Sequence, residues 1–148
     1  KTLVRYLVDY VSSLYKGQVL ETILQDVLDT PVSPELLPQE DDKIVQKTED
    51  IVGPYELHDF FIYHMVRFGD EPRKLYKKTK LAFKDKYDKD TIKKWLRLFY
   101  WRFFSQQFKR SCIPDGPKVG SVALSPRGDW RMPSDANVQI WLDEVERI

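Results

Sequence analysis

Apolar residues recur at helical spacing from the start of the chain. Leu3, Val4, Leu7, Val8, Val11 and Leu14 fall on one face of a helix that Gly17 ends. Val19, Leu20, Ile23, Leu24, Val27 and Leu28 form a second such face. It stops at Asp29-Thr30-Pro31, because proline disfavours the helical conformation of the residue before it. Between Pro31 and Gly53 the period collapses. Pro31, Pro34 and Pro38 interrupt it, and Glu40-Asp41-Asp42 adds an acidic patch. So long a stretch without regular structure is uncommon inside a compact domain unless it serves as a lid or is disordered. Residues 31–53 therefore read as a mobile loop.

Helix resumes at Pro54, a residue favoured at the first helical position. Leu57, Phe60, Phe61, His64, Met65 and Phe68 make its stripe, and Gly69 supplies a left-handed end. Asp70 is placed to cap a shorter helix with Pro72 in its first turn and Leu75, Tyr76, Leu81 and Phe83 inside. Asp88 or Asp90 opens the longest helix, which runs to about Gln107 and carries Ile92, Trp95, Leu96, Phe99, Phe103 and Phe104, with Tyr100 and Trp101 beside them. So wide an aromatic surface predicts packing on two sides. Residues 111–133 form a second irregular region, rich in proline and glycine, with Val119–Leu124 readable as a short edge strand. Ser134 or Asp135 then caps a last helix carrying Val138, Ile140, Trp141, Leu142 and Val145. The pattern predicts a mainly α chain of about six helices and two long loops, with no strand strong enough to build a sheet.

Composition narrows the function classes. The chain has 148 residues, the length of about one domain, and is 42% hydrophobic and 32% charged. That is too apolar for disorder and too charged for a membrane span. A single cysteine, Cys112, excludes an internal disulfide framework and a Cys-based zinc site, and two histidines exclude a His-rich metal cage. A net charge of +1 hides a gradient: residues 1–66 carry −7, residues 67–110 carry +10, and residues 111–148 carry −2. Such bipolarity either steers an anion toward the middle third or reflects helix faces of different sign. The chain opens at Lys1-Thr2-Leu3-Val4, already inside a helical period and with neither methionine nor a signal-peptide pattern, and reads as a piece of something longer.

No Gly-rich phosphate loop, Gly-x-Ser-x-Gly elbow or His-Glu-x-x-His helix is present. Cys112 paired with His58 or His64 is a poor nucleophile candidate, since no oxyanion loop accompanies it. Glu40-Asp41-Asp42 and Glu49-Asp50 are candidate cation ligands or simply solvated acids. Phe108-Lys109-Arg110-Ser111 sits where the aromatic helix meets the Pro/Gly loop. Adjacent cations there suit a phosphate or carboxylate, or else complement the helix dipole. Ser125-Pro126-Arg127-Gly128-Asp129-Trp130-Arg131 is either a recognition loop or a surface loop pinned by Arg–Asp pairs.

Three runs go further. Phe103-Phe104-Ser105-Gln106-Gln107-Phe108-Lys109-Arg110-Ser111, Pro114-Asp115-Gly116-Pro117-Lys118-Val119 and Leu124 to Asp135 together resemble the C-terminus of glutamine-dependent NAD synthase. Asp29 to Leu36 and Glu49 to Leu57 resemble two more landmarks of that family, and Lys1-Thr2-Leu3-Val4 resembles the start of a helix after its nucleotide site. The resemblance spans essentially the whole chain, in the family's order.

The resemblance implies the C-terminal helical part of an α/β adenine-nucleotide-hydrolase-like (ATP pyrophosphatase) domain, with residues 31–53 as a lid over substrates. It implies an enzyme that adenylates the carboxylate of deamido-NAD with ATP and Mg2+, then admits ammonia made from glutamine. Lys1 and Ser33 match positions that contact ATP, and Phe108 and Lys109 match the position that contacts deamido-NAD. No catalytic residue and no metal ligand fall in the chain: the family's Ser-Gly-Gly-x-Asp-Ser loop, magnesium carboxylates and glutaminase triad would lie N-terminal to Lys1. The expectation is a cytoplasmic fragment, inactive alone, partnered by the missing synthetase and glutaminase portions in a homo-oligomeric enzyme, with no nucleic acid or membrane. The alternative is a stand-alone helical module whose basic 67–110 segment holds an anionic partner.

Overall fold

The computed structural model describes residues 1–30 and 48–148, apart from the side chains of Thr48 and Asp50. Eight helices appear among these residues, and no strand: α1 (Thr2–Leu14), α2 (Val19–Asp29), α3 (Thr48–Val52), α4 (Tyr55–Phe68), α5 (Pro72–Ala82), α6 (Lys89–Ser105), α7 (Gln107–Cys112) and α8 (Gln139–Glu146). The mainly α reading holds. The count exceeds six because α3 forms at the end of the stretch read as irregular, and because the long aromatic helix breaks at Gln106. Val119–Leu124 is not a strand. Contacts divide the chain into two units, Lys1–Glu56 and Leu57–Ile148.

In the first unit, α1 and α2 form a hairpin. Gly17 turns it at φ +79°, where its N–H donates to Glu21 Oε2 at 2.6 Å. Between them Ser12 is buried, and Gln25 Nε2 donates to its hydroxyl at 2.9 Å. Of the apolar stripes Val8, Leu24 and Leu28 are half-buried, while the other members lie open, with Val19 76% and Ile23 53% exposed. Glu49 Oε1 accepts from the Tyr55 N–H at 3.0 Å and so caps the first turn of α4.

In the second unit the core is aromatic. Leu57, Phe61 and Met65 of α4, Leu75 and Tyr76 of α5, Ile92, Leu96, Phe99, Tyr100, Phe103 and Phe104 of α6, and Leu142 and Val145 of α8 are buried. Each large side chain removed from water contributes roughly 1.5–3 kcal/mol. As the width of its aromatic surface predicts, α6 packs on two sides, against α5 and α8. Phe99 meets Phe61 at 5.3 Å between ring centres, and Tyr100 stacks on Trp141 at 5.3 Å. Asp88 starts α6 by accepting from the Thr91 N–H at 2.7 Å.

Two end assignments and one burial differ from the sequence reading. Asp70 does not cap α5; Glu71 occupies that position, and Asp70 turns its carboxylate inward. Leu81 is 77% exposed rather than inside, because α5 turns it away from α6 and α8. The last helix begins one turn later than Ser134 or Asp135 would start it, where Asn137 Oδ1 accepts from the Gln139 N–H at 2.7 Å.

Candidate ligand-binding turn at the end of the aromatic helix

The site is built on a break in a helix. At Gln106 the backbone leaves helical geometry (φ −100°, ψ 13°), and α7 restarts at Gln107. Within α7, residues 107 and 110 share one face, while 108 and 109 point elsewhere. Gln107 is fully buried. Its Nε2 donates to the Met132 carbonyl at 3.1 Å, and its Oε1 accepts from Arg110 Nε at 2.8 Å. Arg110 also donates through Nη2 to the Phe103 carbonyl, and its guanidinium lies 4.6 Å over the Phe103 ring. Burial draws the Arg110 pKa below its ordinary value.

Phe108 is 50% exposed and Lys109 is exposed beside it. The adjacent cations read from the sequence as a pair are thus divided. Arg110 turns inward to brace the helix, and Lys109 faces outward with its Nζ 6.0 Å from the Phe108 ring centre. Lys109 is also in the last turn of α7, where a cation complements the helix dipole.

The Pro/Gly loop beyond is held by charge pairs. Arg127 Nε reaches both oxygens of Asp115 at 2.9 Å, and Lys118 Nζ reaches Asp129 Oδ1 at 2.6 Å. Hydrogen bonds from Arg127 and then Ser125 hold the Asp115 carboxyl below the usual carboxylate range. The loop borders an open groove of about 610 Å³ lined by Arg110, Asp115, Lys118, Leu124, Arg127 and Asp129 among others. Of the two readings of the 125–131 segment, the pinned surface loop is the one the geometry supports.

The second unit holds another charged cluster. The Asp70 side chain is fully buried, with Lys74 Nζ at 2.8 Å, Lys78 Nζ in contact and His64 Nδ1 at 3.1 Å. Burial pushes its pKa up, but the two lysines outweigh that and hold it at about 2. His64 is enclosed by Phe60, Tyr63 and Phe68, and His58 lies against Phe61 and Phe99. His64 thus belongs to the Asp70 cluster rather than to any pair with Cys112, which is exposed at the end of α7.

In the first unit, Lys1 Nζ donates to the Tyr55 hydroxyl at 2.9 Å and lies 4.1 Å from its ring centre. Ser33 and Glu40-Asp41-Asp42 lie outside the described residues. Phe108 and Lys109 come together on one turn; Lys1 belongs to the other unit. Among the described residues no group of three His, Cys, Asp or Glu side chains is placed to hold a metal ion, and no helix is long and apolar enough to cross a membrane. Arg110, read from the sequence as an anion-binding neighbour of Lys109, braces the turn instead; Gln107 was missed as a site residue, although it continues the four-residue stripe of Phe99 and Phe103.

No family profile matches the sequence. The glutamine-dependent NAD(+) synthetase of Mycobacterium leprae is 44% identical over 99% of this chain. Those of Mycobacterium bovis and Mycobacterium tuberculosis are 40% identical over the same share. Over its whole length, the chain is a homologue of the glutamine-dependent NAD(+) synthetases. It spans about a quarter, 24%, of the length of each of these synthetases.

Proposed function

We propose that this chain forms the C-terminal part of the synthetase domain of a glutamine-dependent NAD(+) synthetase, a ligase that makes a carbon–nitrogen bond. The observation that carries the reading is 44% identity to such an enzyme across 99% of the chain. In the reaction, the nicotinate carboxylate of deamido-NAD attacks ATP and expels pyrophosphate. Ammonia released from glutamine then displaces AMP to give NAD. A carboxylate is a poor electrophile, and adenylation gives it a leaving group.

Within that reaction this chain's residues bind and orient. Lys109, an exposed cation on a braced turn, takes an anionic group of deamido-NAD, with the half-exposed Phe108 ring against the same ligand. Lys1, held over Tyr55, and Ser33 serve the ATP side. The described residues do not fit a magnesium site, so no step passes through that ion here. The stand-alone basic module has less support: Lys74 and Lys78 are paired with Asp70, Arg97 with Glu146, and most of the α6 aromatics lie in the core.

Two measurements test the proposal. The purified 148-residue chain, given deamido-NAD, ATP and ammonia, is expected to make no NAD; NAD formation would overturn its assignment as a partial domain. In the enzyme that carries this segment, Lys109→Ala is expected to raise the KM for deamido-NAD about 10- to 100-fold, the equivalent of losing one hydrogen bond to a charged group, ~1.5–3 kcal/mol. An unchanged KM would overturn the role of Lys109.

A further inference from the structure

A buried glutamine amide with both ends engaged is unusual at the start of a six-residue helix that follows a break. Gln107 joins two distant parts of the chain: its Nε2 holds the Met132 carbonyl, 25 residues on, and its Oε1 holds Arg110. Arg110 returns the connection to the last turn of α6 through the Phe103 carbonyl and ring. Trp130, two residues before Met132, closes the circuit by meeting the same Phe103 ring edge-on at 5.2 Å. Ser111 Oγ adds a hydrogen bond to the Gln107 carbonyl at 3.2 Å. The two residues between the braces are Phe108 and Lys109.

We propose that Gln107 and Arg110 are positioning residues, a latch that fixes the rotation of α7 and thereby aims Phe108 and Lys109 at deamido-NAD. The inference rests on the proposed role of Lys109. A helix of six residues restarting after a break has few hydrogen bonds of its own to set its direction. Without the latch, α7 rotates or frays, and the Lys109 ammonium spreads over a wider arc. A displacement of about 1 Å in a positioning group is enough to cost up to 10²-fold in rate. The effect falls on binding, since both latch residues act through the turn assigned to deamido-NAD.

The test is a set of variants in the enzyme that carries this segment, with steady-state kinetics for deamido-NAD and, separately, for ATP. Gln107→Met keeps the side-chain volume and loses both hydrogen bonds. It is expected to raise the KM for deamido-NAD about 3- to 10-fold, with kcat and the KM for ATP changed less than about twofold. Arg110→Lys, at a half-buried position, loses the Nε contact to Gln107 and is expected to do the same, so the test survives if Gln107→Met fails to fold. In a background carrying both Phe108→Ala and Lys109→Ala neither change should raise KM further, because both act through those two residues. A general loss of stability would raise KM in both backgrounds, and that result overturns the latch. So does an unchanged KM in both single variants when Lys109→Ala alone raises it. If Lys109→Ala itself has no effect, the ligand assignment fails, and the latch falls with it.

Discussion

Asp70→Asn keeps the shape of a fully buried side chain while removing the charge that Lys74 and Lys78 face. In the folded protein the carboxyl titrates at about 2 against an ordinary 3.8. Close to two pKa units separates those values, or about 2.5 kcal/mol at roughly 1.4 kcal/mol per unit. Burial opposes the shift and the lysines produce it. Lys74 is 64% exposed, so water and salt screen its share. The expected net cost of Asp70→Asn at pH 7 is therefore ~1–2 kcal/mol. For a unit the size of Leu57–Ile148 this lowers Tm by roughly 5–10 °C. Thermal melts followed by near-ultraviolet circular dichroism read the core directly, given its density of aromatic rings. The sign of the pH dependence follows from the direction of the shift. A carboxyl with a depressed folded pKa stabilises above its unfolded value and loses that contribution as pH falls through the folded one. The gap between the parent and Asp70→Asn should be constant from pH 5 to 7 and close between about pH 4 and 2. Equal stability at pH 7, or a gap that persists at pH 2, refutes the reasoning.

Two other outcomes follow from single groups. Among the described residues the buried Tyr100 hydroxyl has no hydrogen-bond partner, and burial, with the charges of Glu144 and Asp70, pushes its pKa up. Tyr100→Phe is expected to be neutral or to stabilise by up to about 1 kcal/mol, measured by urea denaturation; a loss above that range would mean the hydroxyl is satisfied. Asp88→Ala removes the acceptor for the Thr91 N–H and hydroxyl at the start of α6. It should lower the urea midpoint in the same measurement, with the denaturant slope unchanged; an unchanged midpoint would mean the cap contributes nothing.

The parts of the fold legible in the sequence were those governed by neighbours. Gly69 at φ +64° ends α4, and Asp88 opens α6, because a left-handed residue and a capping carboxylate act within one turn. What escaped depends on distance along the chain. The break at Gln106 has no proline or glycine to announce it; Gln107 contacts Met132 on the far side of the loop. Asp70 resembles a cap, yet its partners include Lys78 on the second turn of α5 and His64 on α4. The stripes of α1 and α2 show period but not direction, and in the hairpin most of their residues are exposed while Ser12 and Gln25 meet. For the candidate site, Phe108 and Lys109 were visible through resemblance, and the brace beneath them was not.

Because the segment from Ile113 to Arg131 is tethered at both its ends, by Arg110 at the root and Met132 at the far side, its length is decoupled from the aim of the turn it follows. Closing a longer flexible span is cheap, about 0.6 kcal/mol for each doubling. Relatives could therefore lengthen or trim this hinge-free connection by several residues and keep Lys109 pointing where it does. The glutamine that anchors it should be among the residues that change least.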